Sequence, residues 1–195
     1  MELPQAWSPD TWPVLLLCAL LITAAVIDFW KLKVPNWLTF PMIFSGWISA
    51  VASAGWDGLG ASVLLTFFGL GLLLPLYAIG GMGAGDVKMQ AGFGSWIGAI
   101  YGLSAGFWIV LYGFCLAAVV GGVIALAMMF WRGDFFQNRK NLSDILRDWF
   151  TSKSLGEVAD KAAERKPRMH LLPYGVPLCI GFIGYLVMRS YDLVP

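Results

Sequence analysis

Two aspartates stand where an aspartate is expensive. Asp28 closes the apolar run "AAVIDFW" and Asp86 follows the glycine cluster in "GMGAGDVK", in segments too apolar to leave a carboxylate in open water. Carboxylates at membrane depth are costly and face a bundle interior or a water-filled cavity, which marks them as functional candidates. If two of them meet, they cannot readily both ionise, and the pair holds one proton between its members. The ionised member can then take a proton from water as it attacks a peptide carbonyl. Its protonated partner donates to the carbonyl oxygen and later to the leaving nitrogen. That is aspartic proteolysis. Taken singly, each aspartate has a plainer reading: Asp28 with Lys31 as an i, i+3 pair, and Asp86 with Lys88 as flanking charge. Their joint occurrence beside a glycine cluster favours the catalytic reading.

The surrounding chain must bring them together. Of 195 residues 58% are hydrophobic and 13% charged, with a mean hydropathy of +0.72, against roughly 25% charged in a soluble domain. The chain reads as an all-α integral membrane protein, and a net charge of +1 lends no support to nucleic-acid binding. Apolar stretches long enough to span a bilayer are expected at residues 11–29, 37–54, 59–79 and 173–188. The tract 87–131 would make a helix of roughly 67 Å, twice the hydrocarbon thickness, so it must turn. Gly98 and Gly102 permit a turn between Ile97 and Ser104, which gives spans 87–100 and 104–131 and a six-helix bundle forming one membrane-embedded domain over 1–195.

Charge gives the sidedness. All lysines and arginines except Arg189 fall in or at the edges of the loops after spans one, three and five, whereas the connection from Ser53 to Gly58 carries only Asp57. By the positive-inside rule those three loops are cytoplasmic and both termini lie outside. Asp28 and Asp86 then share the cytoplasmic face. The run from Thr11 to Ala25 is no signal peptide, because Glu2 and Asp10 precede it and Lys31 and Lys33 follow. In the cytoplasmic loop 132–172, Leu142, Ile145, Leu146, Trp149 and Phe150 share one helical face, and Ser154 with Glu157 has the spacing of a capping box for a helix through Arg165. These read as structural.

Cys18, Cys115 and Cys179 show no CxxC pair, and His170 has no partner ligand nearby, so neither a zinc site nor a disulfide framework is indicated. Gly80, Gly81, Gly83 and Gly85 offer backbone that can adopt positive φ and let an extended substrate approach. The helix is therefore expected to break just before Asp86, placing Asp86 in a first turn whose dipole favours its ionised form and leaving the resting proton to Asp28. Pro35 restricts the loop ahead of span two, with Asn36 as its N-cap. Lys88 has two equal readings, one tuning the pair or meeting an acidic group on a substrate, the other a snorkelling interfacial lysine. Pro173, Tyr174, Gly175 and Pro177 keep the opening of the last span irregular. The many Trp and Phe near span ends read as interfacial anchors or lipid contacts.

Four features together resemble the prepilin peptidases, a family of intramembrane aspartyl endopeptidases. They are "DFWKLKVPNWLTFP" from Asp28, the GxGD segment within "GMGAGDVKMQAGFGSWIG", the six-span layout, and "LLPYGVPLCIGFI". The resemblance implies that Asp28 and Asp86 are the catalytic pair; Gly83, Gly85, Lys88, Pro35 and Asn36 are expected to support it on the physical grounds given above. It also implies cleavage of prepilins or pilin-like precursors at the cytoplasmic face of the bacterial inner membrane, after a short basic leader, with no metal or other cofactor and with pilus-assembly machinery among the partners. Larger members carry a cysteine-bearing zinc domain near the N-terminus and also N-methylate the product. This chain resembles instead the compact kind associated with tight-adherence or Flp-type pili, so methyl transfer is not implied.

The chief rival is an ion-coupled transporter or proton channel with Asp28 and Asp86 as relay. It calls for carboxylates near midplane and an internal repeat, and the sequence offers neither.

Overall fold

A computed structural model describes residues 12–78, 82–132 (backbone alone from 129) and 174–194. The described residues form four helices: α1 (Trp12–Lys31), α2 (Asn36–Ala78), α3 (Ala84–Arg132) and α4 (Gly175–Ser190). Three of them, α1, α2 and α3, are long and apolar enough to cross a membrane, so the described residues are all-helical and have the make-up of a membrane protein. The amphipathic stretch 141–150, the helix expected through Arg165, His170 and Pro173 lie outside the described residues, as do Gly80 and Gly81.

Neither long helix is a straight rod. In α2 the backbone leaves helical geometry at Ala54 (φ −138°, ψ 16°) and Gly55 (φ 61°, ψ −142°). The positive φ at position 55 is one that glycine adopts without steric penalty. Beyond the break the chain returns on itself, so that Trp47 Nε1 donates to Thr66 Oγ1 at 3.0 Å. In α3 the break is at Gly102 (φ 71°, ψ −174°). There too the chain folds back, bringing Gly113 against the rings of Phe93 and Phe182. Gly98 does not take part in the turn. It remains helical, and it lies against Ser62, whose Cα would be 2.5 Å from any added Cβ.

The first arm of α3 is the post around which the bundle is built, since every residue from Met89 to Gly98 is buried. Lipid and side chains are equally apolar, so helices in a bilayer associate through close packing of small residues and through hydrogen bonds between helices. Both are visible here. Gly94 abuts the Leu65 carbonyl, Gly46 abuts Ser95, and Gly69 lies against the backbone of Gln90. Ser62 Oγ donates to the Ser95 carbonyl at 2.6 Å, and Ser95 Oγ to the Ile43 carbonyl at 2.8 Å. Trp96 Nε1 donates to the Met42 carbonyl at 3.0 Å. Trp96 thus departs from the expectation that the aromatics face lipid: it is 1% exposed. Its indole finds a carbonyl acceptor inside the bundle, as a buried tryptophan requires. Trp30 and Trp56 do point outward.

On the far side of the post, Phe93 stacks on Phe182 of α4 with ring centroids 4.0 Å apart, and Gly181 abuts the backbone of Ala117. Gly94→Leu should therefore collapse the packing of the second arm of α2 on α3, because even a methyl group there meets the Leu65 carbonyl. The expected result is loss of most folded protein from membranes, read as yield and melting temperature in detergent. Gly60→Ala, where nothing lies within 4 Å, should leave both unchanged or slightly raised.

Candidate active site

Asp28 lies in the last turn of α1 and Asp86 is the third residue of α3. The two are 3% and 4% exposed. They line one cavity of about 430 Å³, together with Lys33, Asn36 and the glycine pair Gly83 and Gly85. Lys88 stands at the same cavity.

The local chemistry of the GxGD stretch follows from helix initiation. The first N–H groups of a helix have no intrahelical acceptor. Gly83 immediately precedes α3, and Asp86, at the N3 position, reaches back so that the Gly83 N–H donates to Asp86 Oδ2 at 3.1 Å. This is the return half of a capping box, with aspartate in the place usually taken by glutamate. It fixes one carboxylate oxygen and turns the carboxylate back over the helix start. A Cβ at Gly83 would lie 3.3 Å from that oxygen, tight for anything larger than glycine. Gly85 has a different reason. Its added Cβ would come 2.9 Å from the N, O and Cβ of Val34, so glycine there lets the α1–α2 connection pass directly over the start of α3.

That connection is shaped by Leu32, which has a positive φ of 50°. Its N–H donates to the Asp28 carbonyl at 2.7 Å, ending α1, and Val34 turns inward to 2% exposure. Pro35 does not line the cavity; its carbonyl accepts from the N–H groups of Leu38 and Thr39. Pro35 thus occupies the cap position expected for Asn36, which is instead the first residue of α2. Proline is tolerated there because it has no N–H of its own to be satisfied ahead of the helix.

Asn36 has other work. Its Oδ1 accepts from Lys88 Nζ at 2.8 Å, and the same ammonium lies 4.9 Å from the centroid of the Phe40 ring. The Lys88 charge is therefore tied to α2 at the rim and to neither aspartate. Lys88→Met should cost no more than several-fold in any activity of the cavity. A loss as deep as that of an aspartate variant would contradict this placement.

Asp28 is held from the opposite end of the chain. The N–H of Gly175, the first residue of α4, donates to Asp28 Oδ2 at 2.8 Å. An added Cβ at Gly175 would lie 2.9 Å from both Oδ2 and Cβ of Asp28. Gly175 was suggested by sequence only as part of an irregular opening to the last helix. The signal that could have gone further is the glycine between Tyr174 and the Pro177 turn, in a position where a helix start can present a bare amide. Tyr174 itself packs against the core, and Pro177 is buried. The three cysteines are free, and only Cys179 is buried.

The arrangement is a pair of inward-facing carboxylates on different helices, each with one oxygen restrained by a backbone amide, at one end of an all-helical membrane bundle. That is a membrane protein with a candidate acid–base pair. Comparison with known proteins gives the family: the model of the type IV leader peptidase family matches residues 15–126, and the chain belongs to that family. Among similar curated proteins are a prepilin leader peptidase/N-methyltransferase of Aeromonas hydrophila, 32% identical over 105 residues, and one of Burkholderia pseudomallei strain 1026b, 32% identical over 123 residues. Those alignments cover 50% and 60% of this chain but only 35% and 37% of the relatives. The chain thus matches little more than a third of their length. No solved structure matches it.

Proposed function

We propose that the protein is an aspartic endopeptidase of the membrane that removes the leader from type IV prepilin-like precursors, with Asp28 and Asp86 as its catalytic pair. The observation that carries this reading is the meeting of the two carboxylates at one cavity, from helices more than fifty residues apart in sequence. Family membership supports the leader-peptidase assignment, and the names of the relatives supply the class of substrate.

In the reaction, a water in the cavity attacks the scissile carbonyl carbon. The ionised carboxylate takes one of its protons while the protonated one donates to the carbonyl oxygen, giving a neutral gem-diol. Collapse of the diol breaks the C–N bond: a carboxyl returns a proton to the leaving nitrogen, and the other recovers one from a diol hydroxyl. The pair ends as it began, holding one proton. Each amide-bound Oδ2 keeps its carboxylate oriented through both steps, which is where positioning contributes most to rate.

Six membrane crossings follow if the breaks at Ala54–Gly55 and at Gly102 are hairpin turns at the membrane surface. Lys31, Lys33 and Lys88 then stand with the cavity at the cytoplasmic side of the bacterial inner membrane, with both termini and Asp57 outside. Arg189, over the Tyr101 ring at 5.6 Å beside the Gly102 break, marks the opposite end. A transporter is the weaker reading, because both carboxylates lie at helix ends and not midway along a span.

The test is co-expression with a pilin precursor bearing a short basic leader. Appearance of the shortened pilin only with the intact protein supports the proposal; unprocessed precursor at normal membrane levels of the protein overturns it.

A further inference from the structure

One charge at the cavity has no part in the chemistry above. Lys33 lines the cavity with Asp28 and Asp86, is exposed, and makes neither an ion pair nor a hydrogen bond with any described residue. Lys88 differs, since Asn36 Oδ1 and the Phe40 ring already hold its ammonium. Lys33 is the uncommitted cation.

Its backbone is not free to drift. Leu32 stands at φ 50°, a left-handed conformation that a bulky side chain seldom adopts and that persists only where the surroundings enforce it. Before Lys33, the Leu32 N–H is bonded to the Asp28 carbonyl. After it, Val34 is buried against Gly85, and Pro35 keeps Val34 in extended backbone. The single residue between these two anchors is therefore presented at a fixed place beside the carboxylate pair.

An ammonium bonded to the pair would spoil it, because a cation in contact favours ionisation of both carboxylates and so removes the shared proton. Each aspartate instead accepts from a backbone amide. Lys33 is left for an anion that arrives from outside. What enters a peptidase cavity is a peptide, and the anionic side chains of a peptide are those of Asp and Glu. At about 3.3 Å per extended residue, a side chain met in the same cavity lies within a few residues of the bond that is cut.

We propose that Lys33 is a specificity-determining residue that binds an acidic side chain of the precursor, close in sequence to the scissile bond. This deepens the peptidase reading and rests on it.

The experiment uses the purified protein in phosphatidylcholine vesicles, whose lipid carries no net charge, with a pilin precursor that has Asp or Glu within about five residues of its cut. Lys33→Gln is expected to raise KM about tenfold, the scale of one charge-assisted hydrogen bond. With kcat unchanged, this is the pattern of lost ground-state binding. The difference from the unaltered protein should narrow in high salt. Lys33→Glu should raise KM further, and exchange of one precursor acid for lysine should restore it, because the pair is then reversed. That same lysine-bearing precursor should be a poor substrate for the unaltered protein. Unchanged KM in Lys33→Glu, a fall in kcat alone, or no restoration by any single acid-to-lysine exchange would each overturn this proposal and leave the peptidase reading in place. Failure of the unaltered protein to cut the precursor at all would overturn both.

Discussion

Alanine at position 28 or 86 is expected to abolish removal of the leader from a co-expressed pilin precursor, while the protein remains in the membrane at its normal level. Loss of a general acid or base alone costs roughly 10²- to 10⁴-fold, and here each aspartate serves in both steps, so the remaining rate should fall below detection on a gel. The conservative changes should fare little better. Asp→Asn keeps the shape and the amide bonds from Gly83 or Gly175 but cannot titrate. Asp→Glu titrates but carries its carboxyl about a methylene too far, and misplacement of about 1 Å can cost roughly a hundredfold. Folding should survive the alanine and asparagine changes, because removing a buried carboxylate relieves a desolvation penalty. Processing by either alanine variant would defeat the assignment.

Gly175→Ala should be almost as damaging, although residue 175 never touches substrate. The new methyl group would lie within 3 Å of the Asp28 carboxylate and its Cβ. Asp28 must then rotate or α4 must withdraw, and either motion breaks the 2.8 Å bond from the Gly175 amide. The expected loss is on the order of a hundredfold in kcat, with the protein still folded, since the adjustment is confined to one helix end. Gly122→Ala is the control: nothing lies within 4 Å of the added methyl, and cleavage should be unchanged. Gly175→Ala cleaving as well as the control would show that the α4 amide does not hold the site. Gly83→Val is expected to resemble Gly175→Ala, by pressing on Asp86 Oδ2 from the other side.

What could be read in the sequence was what depends on composition and on short-range order. The apolar runs announced helices, and Gly55 and Gly102 lie where long runs had to be interrupted. Asp28 and Asp86 stood out because an acid in such surroundings is conspicuous whatever the fold. Contacts across the bundle were a different matter. The partner of Asp28 is 147 residues away at Gly175, and no local pattern encodes which helix start will present its amide to which carboxylate. Val34 is another case: only the backbone approach over Gly85 reveals why that glycine cannot carry a side chain. Asn36 misled for a physical reason. Asparagine is a good cap in isolation, but Pro35 already satisfied the helix start, and the Lys88 ammonium on a neighbouring helix competed for the side chain. Trp96 misled likewise, because an indole near a span end suits the membrane surface unless a carbonyl such as that of Met42 is offered inside.

The central claim is that Asp28 and Asp86 act as one pair. Its most direct test is mass spectrometry of a pilin precursor incubated with the purified protein in vesicles, alongside the Asp28→Asn and Asp86→Asn proteins. The account predicts one cut by the unaltered protein, giving leader and mature pilin whose masses sum to the precursor plus one water, and intact precursor with either variant. The same two products from either variant would contradict it.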